Sequence, residues 1–324
     1  MLWRATWRPF AALLLLFGLA ACGKAASDRP TGAATVRAVL AQDPLSEPQA
    51  TSLLGEPLFA QPDTSGAVAR ADSALSGAPD DVELLIAAGR ERRNVWQYRQ
   101  AMALYTRAME LAPQDWRAPR FRGHRHLSVR EFDRGIADLA RARELAPYNW
   151  DVAYHLGLAH FLAGHFDEAA DAYLRCLGLA EDDGARAAQS ESFRSCSQND
   201  ADLESRVAMT EWAVRALLRA GRDQEAGMLV ANVDSGWPVE ENIAYYHDLL
   251  WRKGLKTEAE LLEGVESGLY RLETVGFAVA NQRLAQGDTA GARGILEELA
   301  ADPWWPGFGR IAAEAELVRM GEVR

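Results

Sequence analysis

The side chains that could do chemistry in this 324-residue chain are few, and their spacing excludes most reactions. No HExxH, CxxC, GxxxxGK[ST] or GxSxG segment occurs, so zinc, dithiol, phosphate-loop and serine-nucleophile chemistry all lack their carriers. Gly307, Phe308, Gly309 and Ala312 spell GxGxxA, yet no strand precedes them, and Pro303, Trp304 and Trp305 read as a loop entering the last helix. His155 and His160 lie five apart on a predicted helix and point in different directions, so they make no metal pair. His165, Asp167 and Glu168 fall in a turn and the start of a helix. The residues point to no enzyme, metal or cofactor. What stands out is charge. Ten arginines (90, 92, 93, 99, 107, 117, 120, 122, 125 and 130) face three acids between residues 90 and 130, inside a chain of net charge −11. Guanidinium forks recognise carboxylates, while the acidic whole argues against nucleic acid as a partner.

The elements that must position these arginines repeat. Leu111-Ala112-Pro113 recurs as Leu145-Ala146-Pro147, and Pro79 precedes Pro113 by the same 34 residues. Units at 82–115, 116–149 and 150–183 place Gly89, Gly123 and Gly157 at the eighth position and Tyr98, Phe132 and Phe166 at the seventeenth. Ala101, Gly135 and Ala169 fall at the twentieth, and Ala108, Ala142 and Cys176 at the twenty-seventh. Small residues let the two helices of a hairpin approach, large ones fill the space to the next hairpin, and Pro stops the second helix. Weaker echoes follow. Ala67, Ala71 and Ala74 suit the second helix of a partial unit at 65–81, and Gly221, Gly254 and Gly287 mark three divergent units. A capping helix over Arg310–Met320 would close the stack.

This pattern resembles the tetratricopeptide repeat family. The resemblance implies an all-α solenoid of antiparallel hairpins in a right-handed superhelix, whose first helices line a concave groove for protein partners. The family's groove positions fall on Arg90, Arg93 and Asn94 in the first unit, Arg117, Arg120 and His124 in the second, and Tyr154, Leu158 and Phe161 in the third. The implied groove is basic at one end and apolar-aromatic at the other, suited to an extended or acidic peptide segment. The full Lys/Asn carboxylate clamp of some family members is absent. The alternatives are that the groove takes an acidic polymer or ligand, or that these arginines pair with acids elsewhere on the surface.

Residues 1–21 have the parts of an export signal: basic Arg4 and Arg8, the apolar run Phe10–Leu19, then small residues. Leu19-Ala20-Ala21-Cys22 resembles the lipobox of bacterial lipoproteins. That resemblance implies lipidation of Cys22, export to the cell envelope and other envelope proteins as partners. Gly23 after it implies the outer membrane, with the body facing the periplasm. Loss of Arg4 and Arg8 takes the net charge from −11 to −13. Residues 22–64, interrupted by five prolines, read as the lipidated cysteine and a flexible tether, with a short helix near Gln49–Ala60 as its one possible element. Residues 184–205 read as a polar inserted loop between the array at 65–183 and the divergent hairpins at 206–324. In an oxidising compartment Cys176 and Cys196 form an even pair able to pin that loop; the alternative is a buried Cys176 and a free Cys196 thiol.

Overall fold

The computed structural model describes residues 32–268 and 271–322; Cys22 and the rest of the leader lie outside the described residues. The chain begins with α1 (Gly32–Leu40), a short hairpin of β1 (Ala50–Thr51) and β2 (Pro57–Leu58), and α2 (Ala67–Gly77). Residues 32–64 are therefore not a free tether. Val36 and Val39 of α1 are buried against Leu75 and Leu104. Where a short helix was expected near residue 50, Ala50 pairs with Leu58 and Thr51 with Pro57. Proline and polar residues gave this stretch a linker's composition, and a handful of apolar anchors with backbone pairing hold it down.

Next come α3 (Val82–Asn94), α4 (Tyr98–Leu111), α5 (Arg117–Ser128), α6 (Phe132–Leu145), α7 (Trp150–Ala163) and α8 (Phe166–Gly178). Each of these helices packs against the one before and the one after it, as a stack of helical hairpins at the 34-residue spacing of the sequence. Asp81 caps α3 by accepting from the Leu84 amide, and Asn149 caps α7 by accepting from that of Val152. The eighth-position glycine has a steric reason. A Cβ on Gly157 would sit 2.5 Å from the Tyr173 ring, and one on Gly123 2.8 Å from Leu139.

Between the arrays, residues 184–205 are not a loose loop. They contain most of α9 (Asp183–Ala188) and all of α10 (Gln198–Ala201), and they are stitched to the third hairpin. Cys176 and Cys196 are joined by a disulfide. The Cys196 amide donates to Tyr148 O (2.8 Å), the Trp150 amide to Arg194 O (2.8 Å), and the Trp150 indole to Asn199 Oδ1 (2.9 Å).

The second array comprises α11 (Leu203–Arg219), α12 (Asp223–Ala231), α13 (Ile243–Arg252), α14 (Glu258–Glu266), α15 (Leu272–Ala285), α16 (Thr289–Ala300) and α17 (Phe308–Glu322). The last helix does more than cap α16. It also packs on α15 and returns to α7, burying Ile311, Ala312 and Ala313 in one core with Phe161 and Phe277. Glu314, fully buried, accepts from Arg130 (2.7 Å), Arg310 (3.1 Å) and the Leu53 amide (3.1 Å). Trp305 packs edge-on against Trp96 and Tyr98 and donates its indole N–H to Phe59 O (3.0 Å). The end of the chain thus meets the turns of the first two hairpins.

Candidate functional site

The ten arginines divide sharply. Six have carboxylate partners. Arg92 pairs with Asp72 (2.8 Å), Arg107 with Asp80 (2.8 Å), Arg122 with Asp138 (2.6 Å) and Arg130 with Glu314. Arg117, expected in the groove, is held by Asp115 (2.6 Å) and Glu83 (2.9 Å). Arg120 has one long contact, 3.4 Å to Asp151. Arg90, Arg93, Arg99 and Arg125 form no ion pair among the described residues.

Arg90, Arg93, Arg120 and Arg125 converge on the inner side of α3 and α5. The Arg120 and Arg90 guanidinium groups lie 5.0 and 6.0 Å from the Phe121 ring centre, and that of Arg125 lies 4.6 Å from the Tyr98 ring. Arg120 is 7% exposed and Arg125 6%. Burial, with Arg125 and Arg93 repelling, pushes the Arg120 pKa down to about 10 against the pull of Asp151. Burial likewise lowers that of Arg125, with Arg93 adding repulsion and Tyr98 and Tyr105 opposing. Both stay protonated at neutral pH. Buried charge with little counter-charge is costly: Arg120 has one distant carboxylate and Arg125 none among the described residues, an arrangement that a bound anion would relieve.

Two histidines complete this side. The His124 and His155 rings lie with centres 4.2 Å apart, tilted 43° to each other, and His155 Nδ1 lies 2.6 Å from Asp151 O and 3.3 Å from Arg120 Nη2. Burial first, then the neighbouring arginines, hold both pKa values well below the ordinary range, so both rings are neutral at pH 7. Phe308, the first residue of α17, stacks on His124 at 5.2 Å and forms the far wall.

The aromatic end of the expected groove is placed differently. Leu158 and Phe161 are fully buried, and Phe161 meets Phe166, Trp212 and Phe277 edge-on. They are core because α11, α15 and α17 pack over α7. Tyr154 stacks on Trp150 at 4.9 Å and is half-buried. Asn94 is exposed, with its amide 3.4 Å from Glu91. Arg90, Arg93, Arg120 and His124 are thus brought together. Arg117 is diverted to acids, and Leu158 and Phe161 are withdrawn into the interior. Arg125, His155 and Phe308 join the site without having been expected. Arg125 and His155 each adjoin a groove position, so the bare repeat count passes over them, while Phe308 comes from a helix 180 residues away.

No group of three metal-ligating side chains occurs among the described residues, and no helix among them is long and apolar enough to cross a membrane. No family model and no curated protein matches the chain. Among solved structures, the chain is similar to the crystal structure of YrrB, described as a tetratricopeptide repeat protein with an unusual peptide-binding site. The identity is 14%, covering 78% of this chain and 100% of that one, with a TM-score of 0.42.

Proposed function

We propose that the protein is a non-catalytic interaction scaffold whose arginine cluster holds an acidic segment of a partner protein, and that Cys22 ties it by lipid to the bacterial outer membrane, facing the periplasm. One observation carries the binding reading. Among the described residues of a chain rich in acids, Arg90, Arg93 and Arg125 have no carboxylate partner and Arg120 only a distant one, while the buried Arg92 and Arg130 nearby are matched. Charges left unmatched at one inner site suit a ligand that brings its own carboxylates, bound in bidentate fashion. Envelope location rests on Leu19-Ala20-Ala21-Cys22 and its preceding apolar run.

Calorimetric titration of the full chain with Glu-rich, neutral and Lys-rich peptides tests the site. Only the acidic peptide is expected to bind, with affinity falling as salt rises. Arg90→Glu with Arg93→Glu, at accessible positions, should weaken it at least tenfold. Equal binding of the neutral peptide, or unchanged affinity in the double variant, would refute the acidic-segment reading. Selective binding of an acidic polysaccharide would move the site to the polymer alternative. For the anchor, Cys22→Ser should release the protein from the membrane fraction and remove its acyl mass.

A further inference from the structure

A cavity of about 220 Å³ opens beside Phe308, between α11, α13, α15 and the turn that enters α17. Its walls are the rings of Trp212, Tyr245, Trp304 and Phe308, with Arg215 and Glu273 as its charged groups. The two charged groups differ in how far they are satisfied. Arg215 already donates to Glu211 (2.8 Å), Asp248 (3.0 Å) and Thr274 O (3.2 Å), so its charge is matched inside the protein. Glu273 is 15% exposed and has one loose neighbour, Arg271 at 3.5 Å, whose guanidinium is drawn off to lie 4.5 Å from the Trp304 ring. Its other oxygen, Oε2, is buried and accepts no hydrogen bond among the described residues. Gly307 leaves the space for this carboxylate, since a Cβ there would overlap Oε2.

We propose that this cavity binds a primary ammonium group, held by the Glu273 carboxylate and surrounded by the four rings. A carboxylate lacking a donor gains a charge-assisted hydrogen bond. The Trp212 and Tyr245 rings already take the Arg215 guanidinium, 4.8 and 5.6 Å from their centres, so the rings serve as walls and the carboxylate carries the recognition. Burial already raises the Glu273 pKa, against Arg271, which marks a carboxylate short of stabilising partners. The ammonium could be a lysine side chain or a free amino terminus. The site shares only Phe308 with the arginine cluster and stands whether or not that cluster binds acidic segments.

Tryptophan fluorescence of the full chain, with Trp212 and Trp304 in the walls, reads the test. N-acetyl-lysine methylamide, with only a side-chain amine, and alaninamide, with only an α-amine, are titrated beside N-acetyl-norleucine methylamide. One amine is expected to give a saturable change at least tenfold tighter than the neutral norleucine compound, and which one identifies the source. Glu273→Gln, with unchanged far-UV circular dichroism, should remove that preference, while Arg90→Glu with Arg93→Glu should leave it intact. No saturable response to either amine, an equal response to norleucine, or a preference that survives in Glu273→Gln would overturn the proposal. So would tighter binding of butyrate than of butylammonium, which would make Arg215 the anchor.

Discussion

Arg120 and Arg125 occupy positions where a folding protein gains nothing from a charge, which makes them the sharpest test of binding at the residue scale. Arg120→Gln removes a buried, weakly matched guanidinium and relieves Arg125 and Arg93. It should stabilise the unliganded protein by about 1 kcal/mol in urea unfolding, while weakening an acidic peptide about tenfold. A variant that lost both stability and binding would mark Arg120 as structural. The neighbouring histidines predict a pH response. Both are held neutral in the fold, well below the ordinary value, while the unfolded chain takes up protons near pH 6.5. Between those values the unfolded state binds more protons, so stability is complete above about pH 6.5 and is lost as pH falls towards the folded values. The loss is up to about 1.4 kcal/mol per histidine for each pH unit, and the urea midpoint at pH 5.5 should fall clearly below that at pH 8. Saturating acidic peptide should reduce the difference by cancelling the repulsion from the arginines. The sequence made the cluster visible as a local charge excess, and the repeat count brought four of its members to one face. Which arginines would be claimed by acids was not legible, because Glu83, Asp72 and Asp138 reach theirs across helices whose rotation the repeat count leaves open.

Among elements, the hairpins were the easiest part of the fold to read, because each rests on a few steric necessities. Gly157 is one. Alanine there would push on the Tyr173 ring, which is fully buried and cannot give way cheaply, so Gly157→Ala should cost about 1–3 kcal/mol despite alanine's better helix propensity. Denaturant midpoints would show it, and a stabilised variant would mean that the close approach is not required. Residues 32–64 and 184–205 were harder to read, and for one physical reason. Their order comes from backbone hydrogen bonds, a disulfide and isolated anchors such as Val36 and Trp150, none of which leaves a periodic trace. The disulfide closes a loop of 20 residues, which limits the unfolded chain. Cys196→Ala should lower stability by about 3 kcal/mol on that account, and equilibrium unfolding beside the reduced wild type would measure it. A loss below about 0.5 kcal/mol would mean that the segment stays docked through Asn199 and the Tyr148 backbone alone.

For the whole molecule, the turn of each hairpin explains why the array closes on itself. The same turn position is left-handed throughout, at Trp96 (φ 61°), Arg130 (φ 66°), Gly164, Gly221, Gly254 and Gly287. Glycine serves at four of these, but the first two carry side chains at a conformational cost of about 1–2 kcal/mol each. Those two side chains are the ones that catch the returning segment: Trp96 meets Trp304 and Trp305, and Arg130 meets Glu314 and Trp305 O. Strain at these turns is thus offset by contacts that join the two ends of the chain, which sequence spacing could not foresee. An open solenoid touches only its neighbours and can unfold in stages, whereas a stack joined at its ends should melt as one unit. The full chain should therefore give coincident transitions by far-UV circular dichroism and tryptophan fluorescence. Glu314→Ala leaves Arg130 buried without its partner and should cost about 3–5 kcal/mol. It should also separate the two transitions, with fluorescence changing first because Trp96, Trp304 and Trp305 report the junction. If the variant loses stability while its transitions stay coincident, Glu314 is a core residue, and cooperativity comes instead from the shared packing of α7, α11, α15 and α17.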